Sequence, residues 1–199
     1  MSWVLANLPT IAGHLLAHLL QAVPAIIASF VLAIPIARLA RVARPLRAVL
    51  VTGSSLLYAV PSLALFVILP IILATGIRDP LNVIVALTLY GLALLVPATA
   101  DALDAVDARV LDAATAMGMG RLRCFLTVEL PLAGPAILTG LRVVTVSTIS
   151  LTTVGAVLGV RSLGWLFTDG FQRGITAEIV TGLVATAALA LVPVSYTHL

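Results

Sequence analysis

Residues Asp112-Ala113-Ala114-Thr115-Ala116-Met117-Gly118-Met119-Gly120-Arg121-Leu122-Arg123-Cys124-Phe125-Leu126-Thr127-Val128-Glu129-Leu130-Pro131 form a polar, glycine-punctuated stretch set between long apolar runs. An acid followed by two alanines, a glycine six residues after the acid and a closing Leu-Pro suit a loop built to be gripped by a partner. Its surroundings decide the class. Of 199 residues, 61% are hydrophobic and 10% charged, and the mean hydropathy is +1.20. A soluble domain of this size cannot hide that much apolar surface. Runs of about 20 residues match the ~30 Å thickness of a bilayer's hydrocarbon core. The expectation is therefore an all-α polytopic membrane protein. A transmembrane β-barrel would show segments of ~10 residues alternating apolar with polar, and the chain has no such pattern.

Five spans are predicted, at about 14–37, 46–75, 81–100, 134–159 and 176–194, within one membrane domain over 1–194. Met1 to Thr10 lacks the basic region of a cleavable signal, so the first run reads as a retained span. The connector after it carries Arg38, Arg41, Arg44 and Arg47 with no acid, which places it in the cytoplasm. The N-terminus then lies outside, the 101–133 connector inside, and 76–80 and 160–175 outside. Arg109, Arg121 and Arg123 agree with this assignment, while Arg78, Arg161 and Arg173 are exceptions to it. All eleven basic residues are arginines. Topology accounts for most of them, so the pI near 9.8 calls for no nucleic-acid partner. The single Cys124 excludes an intramolecular disulfide framework and a multi-cysteine metal site.

The second run is about 45 Å long as straight helix, too long for a simple span, and carries Pro61 and Pro70. It should be tilted, kinked or broken around Tyr58-Ala59-Val60-Pro61-Ser62. Freed backbone groups there must be buried in protein or face water. Two readings stay open, a translocation-pathway element and a plain proline kink. The fourth run is rich in hydroxyls, with Thr145, Ser147, Thr148, Ser150, Thr152 and Thr153. These could line a pathway or hydrogen-bond among packed helices. The candidate pathway residues are Tyr58, Pro61, Ser62, Thr148 and Thr152.

In the inside connector, Leu103, Val106, Val110, Ala114 and Met117 share one helical face, opposite Asp101, Asp104 and Asp112. The spacing predicts a cytoplasmic helix, a turn at Gly118 and Gly120, and a second short helix from Arg121 to Glu129 that stops before Pro131.

Asp112-Ala113-Ala114, Gly118, then nine residues, then Val128, Leu130 and Pro131 resemble the EAA loop of bacterial ABC importer permeases. Asp112 stands where that family usually has Glu and Val128 where it usually has Ile, so charge and shape are kept. The resemblance implies a type I importer permease core whose coupling loop, through Asp112, Ala113, Ala114, Gly118, Leu130 and Pro131, docks into a groove on a cytoplasmic ABC ATPase subunit. It also implies a second permease copy, identical or related, and an extracytoplasmic substrate-binding protein. Over about 14–192 the chain is similar to the osmoprotectant branch, whose substrates are glycine betaine, choline and carnitine. Val60-Pro61-Ser62-Leu63-Ala64-Leu65 looks like that branch's T-I-P-S-L-A-L element. Met117-Gly118-Met119, Val128 to Leu132, Gly140-Leu141-Arg142, Gly155-Ala156 and Leu163-Gly164 resemble its other segments. Methionine permeases and further importers share such a core and are the alternative, followed by an ion-coupled secondary transporter or a structural membrane scaffold.

No aromatic cage for a quaternary ammonium is evident. Trp165, Phe167 and Phe171 could meet a binding protein, though interfacial anchoring is the plainer reading. His14 and His18 share a helix face without a third metal ligand, so they read as an interfacial pair and no metal is expected. Arg142, which could pair with Glu129, and Glu178 read as topological anchors. The chain has no phosphate-binding G-x-x-x-x-G-K-[ST] loop, no nucleophile elbow and no zinc-spaced set. It is expected to need no cofactor and to be no enzyme. Ser195-Tyr196-Thr197-His198-Leu199 breaks off the apolar run and is expected to be foreign to the chain, with the fifth span cut short.

Overall fold

The structure, a computed structural model, describes residues 2–42 and 44–195, and every regular element among them is helical. In chain order these are α1 (Ser2–Ala6), α2 (Leu8–Val42), α3 (Arg44–Leu57), α4 (Ser62–Leu73), α5 (Pro80–Asp104), α6 (Ala108–Ala116), α7 (Arg121–Cys124), a π turn (Phe125–Glu129), α8 (Leu130–Thr152), a 3-10 segment (Thr153–Leu158), α9 (Trp165–Arg173) and α10 (Thr176–Ser195). Three helical stretches among the described residues are long and apolar enough to cross a membrane, at Leu8–Val42, Pro80–Asp104 and Arg121–Leu158, and the bent pair α3–α4 makes a fourth if it is one broken span and not a re-entrant loop. The run at Thr176–Val192 is apolar but shorter. The anomalous tail expected at 195–199 falls, from Tyr196 on, outside the described residues.

α5 is the central element, supplying residues to all three packed clusters of the interior. It begins where Asp79 accepts the Leu81 amide at 2.9 Å and Pro80 takes a first-turn position that needs no donor. α2 lies along it through a stripe of small residues, with Ala22, Ala25, Ser29, Ala33, Ala37 and Ala40 all buried. Small side chains let two backbones approach, and in a membrane this packing replaces the hydrophobic drive that lipid removes. The closest approach is at Gly91. A Cβ there would stand 2.1 Å from Ser29 Oγ and 2.7 Å from Ser29 Cβ. Gly91→Ala is therefore expected to separate α2 from α5 and cost about 1–3 kcal/mol. A fall in the detergent melting temperature checks this, and an unchanged melt contradicts the tight seam.

Two sequence expectations are corrected at the 101–133 connector. The amphipathic helix does not run unbroken from Asp101, because α5 ends at Asp104 and α6 starts after Asp107, whose carboxylate accepts the Arg109 amide at 2.9 Å. That competing cap ends one helix and starts another. Leu103 and Ala114 are buried, whereas Val110 and Met117 are exposed. The second helix does not stop before Pro131 either. Arg121 through Leu158 is one continuous helical stretch of 38 residues. A π turn makes this possible: Leu130 N–H reaches back five residues to Phe125 C=O, so the widened ladder absorbs the donor that Pro131 lacks.

At the opposite end, His14, His18 and Gln21 are buried, so the interfacial reading of the histidines is corrected. The segment after the 3-10 turn packs on His14 and Gln21. The His14 ring stacks on Trp165 at 4.7 Å, and Gln21 Nε2 donates to the Arg161 carbonyl at 2.7 Å. Glu178 is likewise buried rather than set at an interface. Phe171 stays exposed.

Candidate functional site

The polar stretch 112–131 forms a bracket at one end of the molecule. α6 closes on a left-handed residue, Gly118, at φ 83°. Met119 N–H bonds to Ala114 C=O at 3.2 Å and Gly118 N–H to Thr115 C=O at 2.9 Å, the paired bonds that end a helix on a glycine. The chain then reverses and enters α7 from Gly120. Of the coupling-loop candidates, Asp112, Ala113, Gly118 and Pro131 are exposed, Leu130 is half-buried and Ala114 is buried. Asp112 and Ala113 thus offer a charge and a small side chain outward while Ala114 seats the helix. Met117, Leu122 and Leu126 add exposed apolar surface beside them. At the start of α6, the Arg109 guanidinium holds the Asp107 carboxyl below its usual range. A depressed carboxylate stabilises the folded state above its unfolded pKa and loses that contribution as the pH falls through the folded value. The cap is therefore intact at neutral pH.

Behind the bracket lies a charge cluster whose arginines the sequence assigns only to topology, with Glu129 set against Arg142. Arg41 bridges two helices, with Nε 3.3 Å from Asp104 Oδ1 at the end of α5 and Nη1 paired with Glu129 in the π turn. Arg47 also pairs with Asp104, and the Arg38 guanidinium sits 4.0 Å from the Phe125 ring centroid, a cation–π contact. Glu129 therefore pairs with Arg41. These residues fasten α2, α3 and α5 to the root of the bracket. The signal was present as isolated acids at element ends beside a run of arginines, but the partners are 57 to 88 positions apart in sequence, where spacing gives no guide.

The second candidate region is the break in the long apolar run. α3 and α4 meet at 107°, so the run is broken rather than tilted. Tyr58 and Pro61 are exposed at the break, and Ser62 is half-buried. Tyr90, which sequence analysis missed, lies across from it: its hydroxyl donates to Val60 C=O at 2.5 Å, and its ring meets Tyr58 edge-on at 6.1 Å. A tyrosine inside an otherwise apolar span was the available signal. Tyr90→Phe should leave a carbonyl of the break without its donor and cost about 1 kcal/mol. A melting temperature equal to wild type would remove that role from the hydroxyl. Thr148 and Thr152 are buried, and Thr152 Oγ1 donates to Thr148 C=O within α8 at 2.7 Å. In the single chain they do not share an open surface with Tyr58, Pro61 and Ser62. Among the described residues no group of three or more His, Cys, Asp or Glu could hold a metal.

Several known proteins are similar to this chain. It is 28% identical over 176 residues to the glycine betaine/carnitine/choline transport system permease protein OpuCD of Bacillus subtilis, covering 88% of this chain and 76% of that protein. It is 29% identical over 175 residues to the choline transport system permease protein OpuBD of the same organism, covering 87% and 76%. It is 35% identical over 139 residues to the ergothioneine transport permease/ergothioneine binding protein EgtU of Helicobacter pylori, covering 70% of this chain but only 24% of that protein. The fold is that of the MetNI methionine ABC transporter in an inward-facing crystal form, with TM-score 0.83 at 20% identity over 100% of this chain and 94% of the other. Residues 25–197 match the family described as binding-protein-dependent transport system inner membrane component, and the chain belongs to that family.

Proposed function

We propose that this chain is the permease subunit of an ATP-driven importer that moves glycine betaine, choline, carnitine or a related osmoprotectant into the cell. The observation that carries the reading is the bracket. It exposes Asp112, Ala113, Gly118 and an apolar rim for a partner, and it continues without interruption through the π turn into a helix long enough to span the membrane. A push on α7 is thus passed to α8 along one continuous helical stretch. The names of OpuCD and OpuBD support the substrate class.

In this reading Asp112, Ala113 and Gly118 seat a cytoplasmic ATPase subunit and the buried Ala114 packs α6 beneath them, while Leu130 and Pro131 lead the load into α8. The N-terminus lies outside, and 1–194 is one permease domain with spans at about 14–37, 46–75, 81–100, 134–159 and 176–194. A second permease copy completes the pathway, and an extracytoplasmic binding protein supplies the substrate. Tyr58, Pro61 and Ser62 face the pathway, with Thr148 and Thr152 behind them holding α8 in shape.

The deciding experiment co-expresses the chain with a candidate ATPase and binding protein in cells lacking their own osmoprotectant importers. It follows uptake of labelled glycine betaine, choline, carnitine, methionine and ergothioneine. Uptake of one of the first three, lost when the ATPase is inactivated, is the expected result. Uptake of methionine or ergothioneine alone would replace the substrate class. Uptake that persists without a functional ATPase would replace the importer class.

A further inference from the structure

Arg78 and Arg161, both exceptions to the expected charge topology, are brought together by the fold at the end of the molecule opposite the bracket. They line one cavity of about 290 Å³ with Gln21 and otherwise small or apolar residues, Ala17, Leu20, Pro80 and Gly159. Neither guanidinium is ion-paired among the described residues. The nearby acids are engaged: Asp79 caps α5 through the Leu81 amide, and Asp169 pairs with Arg173 at 2.9 Å. Both arginines are exposed and lie close to neighbouring backbone. The Arg78 side chain lies over Gly159, where a Cβ would stand 3.1 Å from Nε, and Arg161 reaches Gly13, where a Cβ would stand 3.5 Å from Nη2. Gln21 pins the Arg161 backbone to α2 through its 2.7 Å bond to the carbonyl.

A separate, shallow apolar groove begins three residues further along α2. Leu20 is exposed, and Val23, Pro24, Ile27, Ala28, Val31 and Leu32 line the groove below it. From Leu20 to Val31 is about 17 Å of helix at 1.5 Å per residue. That is close to half of the ~30 Å hydrocarbon thickness, the depth of one leaflet.

We propose that this is a binding site for an anionic phospholipid, whose phosphate lies between Arg78 and Arg161 and whose acyl chain runs down the α2 groove. Two exposed guanidiniums with no ion-pair partner among the described residues attract a counter-charge, and a phosphodiester supplies it with oxygens that match the guanidinium fork. The groove supplies what a soluble phosphate could not use. The site depends on the chain lying in a bilayer and is independent of which substrate is carried.

The test is native mass spectrometry of the full-length chain in detergent with added phosphatidylglycerol, phosphatidylcholine or glycerol phosphate. Phosphatidylglycerol is expected to be retained in preference to phosphatidylcholine. Arg78→Gln and Arg161→Gln should each weaken it about fivefold, as expected for one basic residue near an anionic surface, and Arg78→Lys should keep most of the binding. Arg109→Gln, which removes a charge paired with Asp107 at the bracket, should leave it unchanged. Equal retention of the two lipids, or wild-type retention by both glutamine variants, overturns the proposal. So does competition by glycerol phosphate at the concentration of the lipid, which would make this a soluble-anion site. A dimer mass that excludes lipid, with a second chain over the groove, overturns it as well.

Discussion

Gly118→Arg is expected to leave the chain in the membrane and to abolish substrate uptake together with recovery of the ATPase subunit. Two effects combine at that position. The φ of 83° is one that a side chain adopts at a cost of about 1–2 kcal/mol, too little to unfold the protein. Within the chain a Cβ at Gly118 meets nothing within 4 Å, so no internal clash adds to it. On the proposed docking of an ATPase subunit the greater cost falls on that partner, because a long cation would stand at the turn between α6 and α7. Loss of a central interface contact of about 2–4 kcal/mol corresponds to a ~30- to 1000-fold fall in affinity. Gly118→Ala carries the backbone strain without the bulk and should retain most uptake. Pull-down of the ATPase with each variant checks the order wild type, alanine, arginine. Arginine-variant uptake at the wild-type rate would sink the docking role of the bracket.

The second large effect is expected from Glu129→Arg. Glu129 holds Arg41, which also holds Asp104, so reversal places a cation against Arg41 close to Arg38, whose guanidinium lies on Phe125. The bracket should still recruit the ATPase, since Asp112, Ala113 and Gly118 are untouched. Its root would no longer be fastened to α2 and α5. ATP hydrolysis should therefore proceed with uptake reduced at least about tenfold, equivalent to ~1.4 kcal/mol of lost coupling. The pair is only partly exposed, with side-chain accessibilities of 29% for Arg41 and 14% for Glu129. Charge-assisted bonds of this kind contribute about 1.5–3 kcal/mol when shielded and less when wet. A double-mutant cycle with Arg41→Ala and Glu129→Ala should give a coupling of at least about 0.5 kcal/mol. Additive effects would reduce the clamp to a surface ion pair. The family assignment does not depend on this clamp.

How far the sequence carried each conclusion follows the range of the forces involved. The apolar runs, the break at Tyr58–Ser62 and the turn at Gly118 are local, written in hydropathy, proline and glycine, and they were legible. The EAA-like spacing carried the likeness to importer permeases, and residues 25–197 match that family. Pro131 was misread because a proline's missing donor is a local rule, whereas the π turn that absorbs it needs the neighbouring Phe125–Glu129 ladder to widen. The burial of His14, His18 and Glu178 was misread because a polar residue near a span end looks interfacial until another segment folds over it.

Composition and periodicity by themselves determined that this chain is a bundle of membrane helices with a polar bracket between two of them, since the bilayer leaves a chain with such runs no other way to satisfy its backbone. Only the tertiary structure decided that Arg41 joins Asp104 to Glu129, that Tyr90 caps the broken span and that Arg78 meets Arg161. Those partners are separated by 30 to 88 residues. Their encounter is set by the close seam of α2 on α5, where small residues let two helices touch, and no periodicity along the chain encodes it.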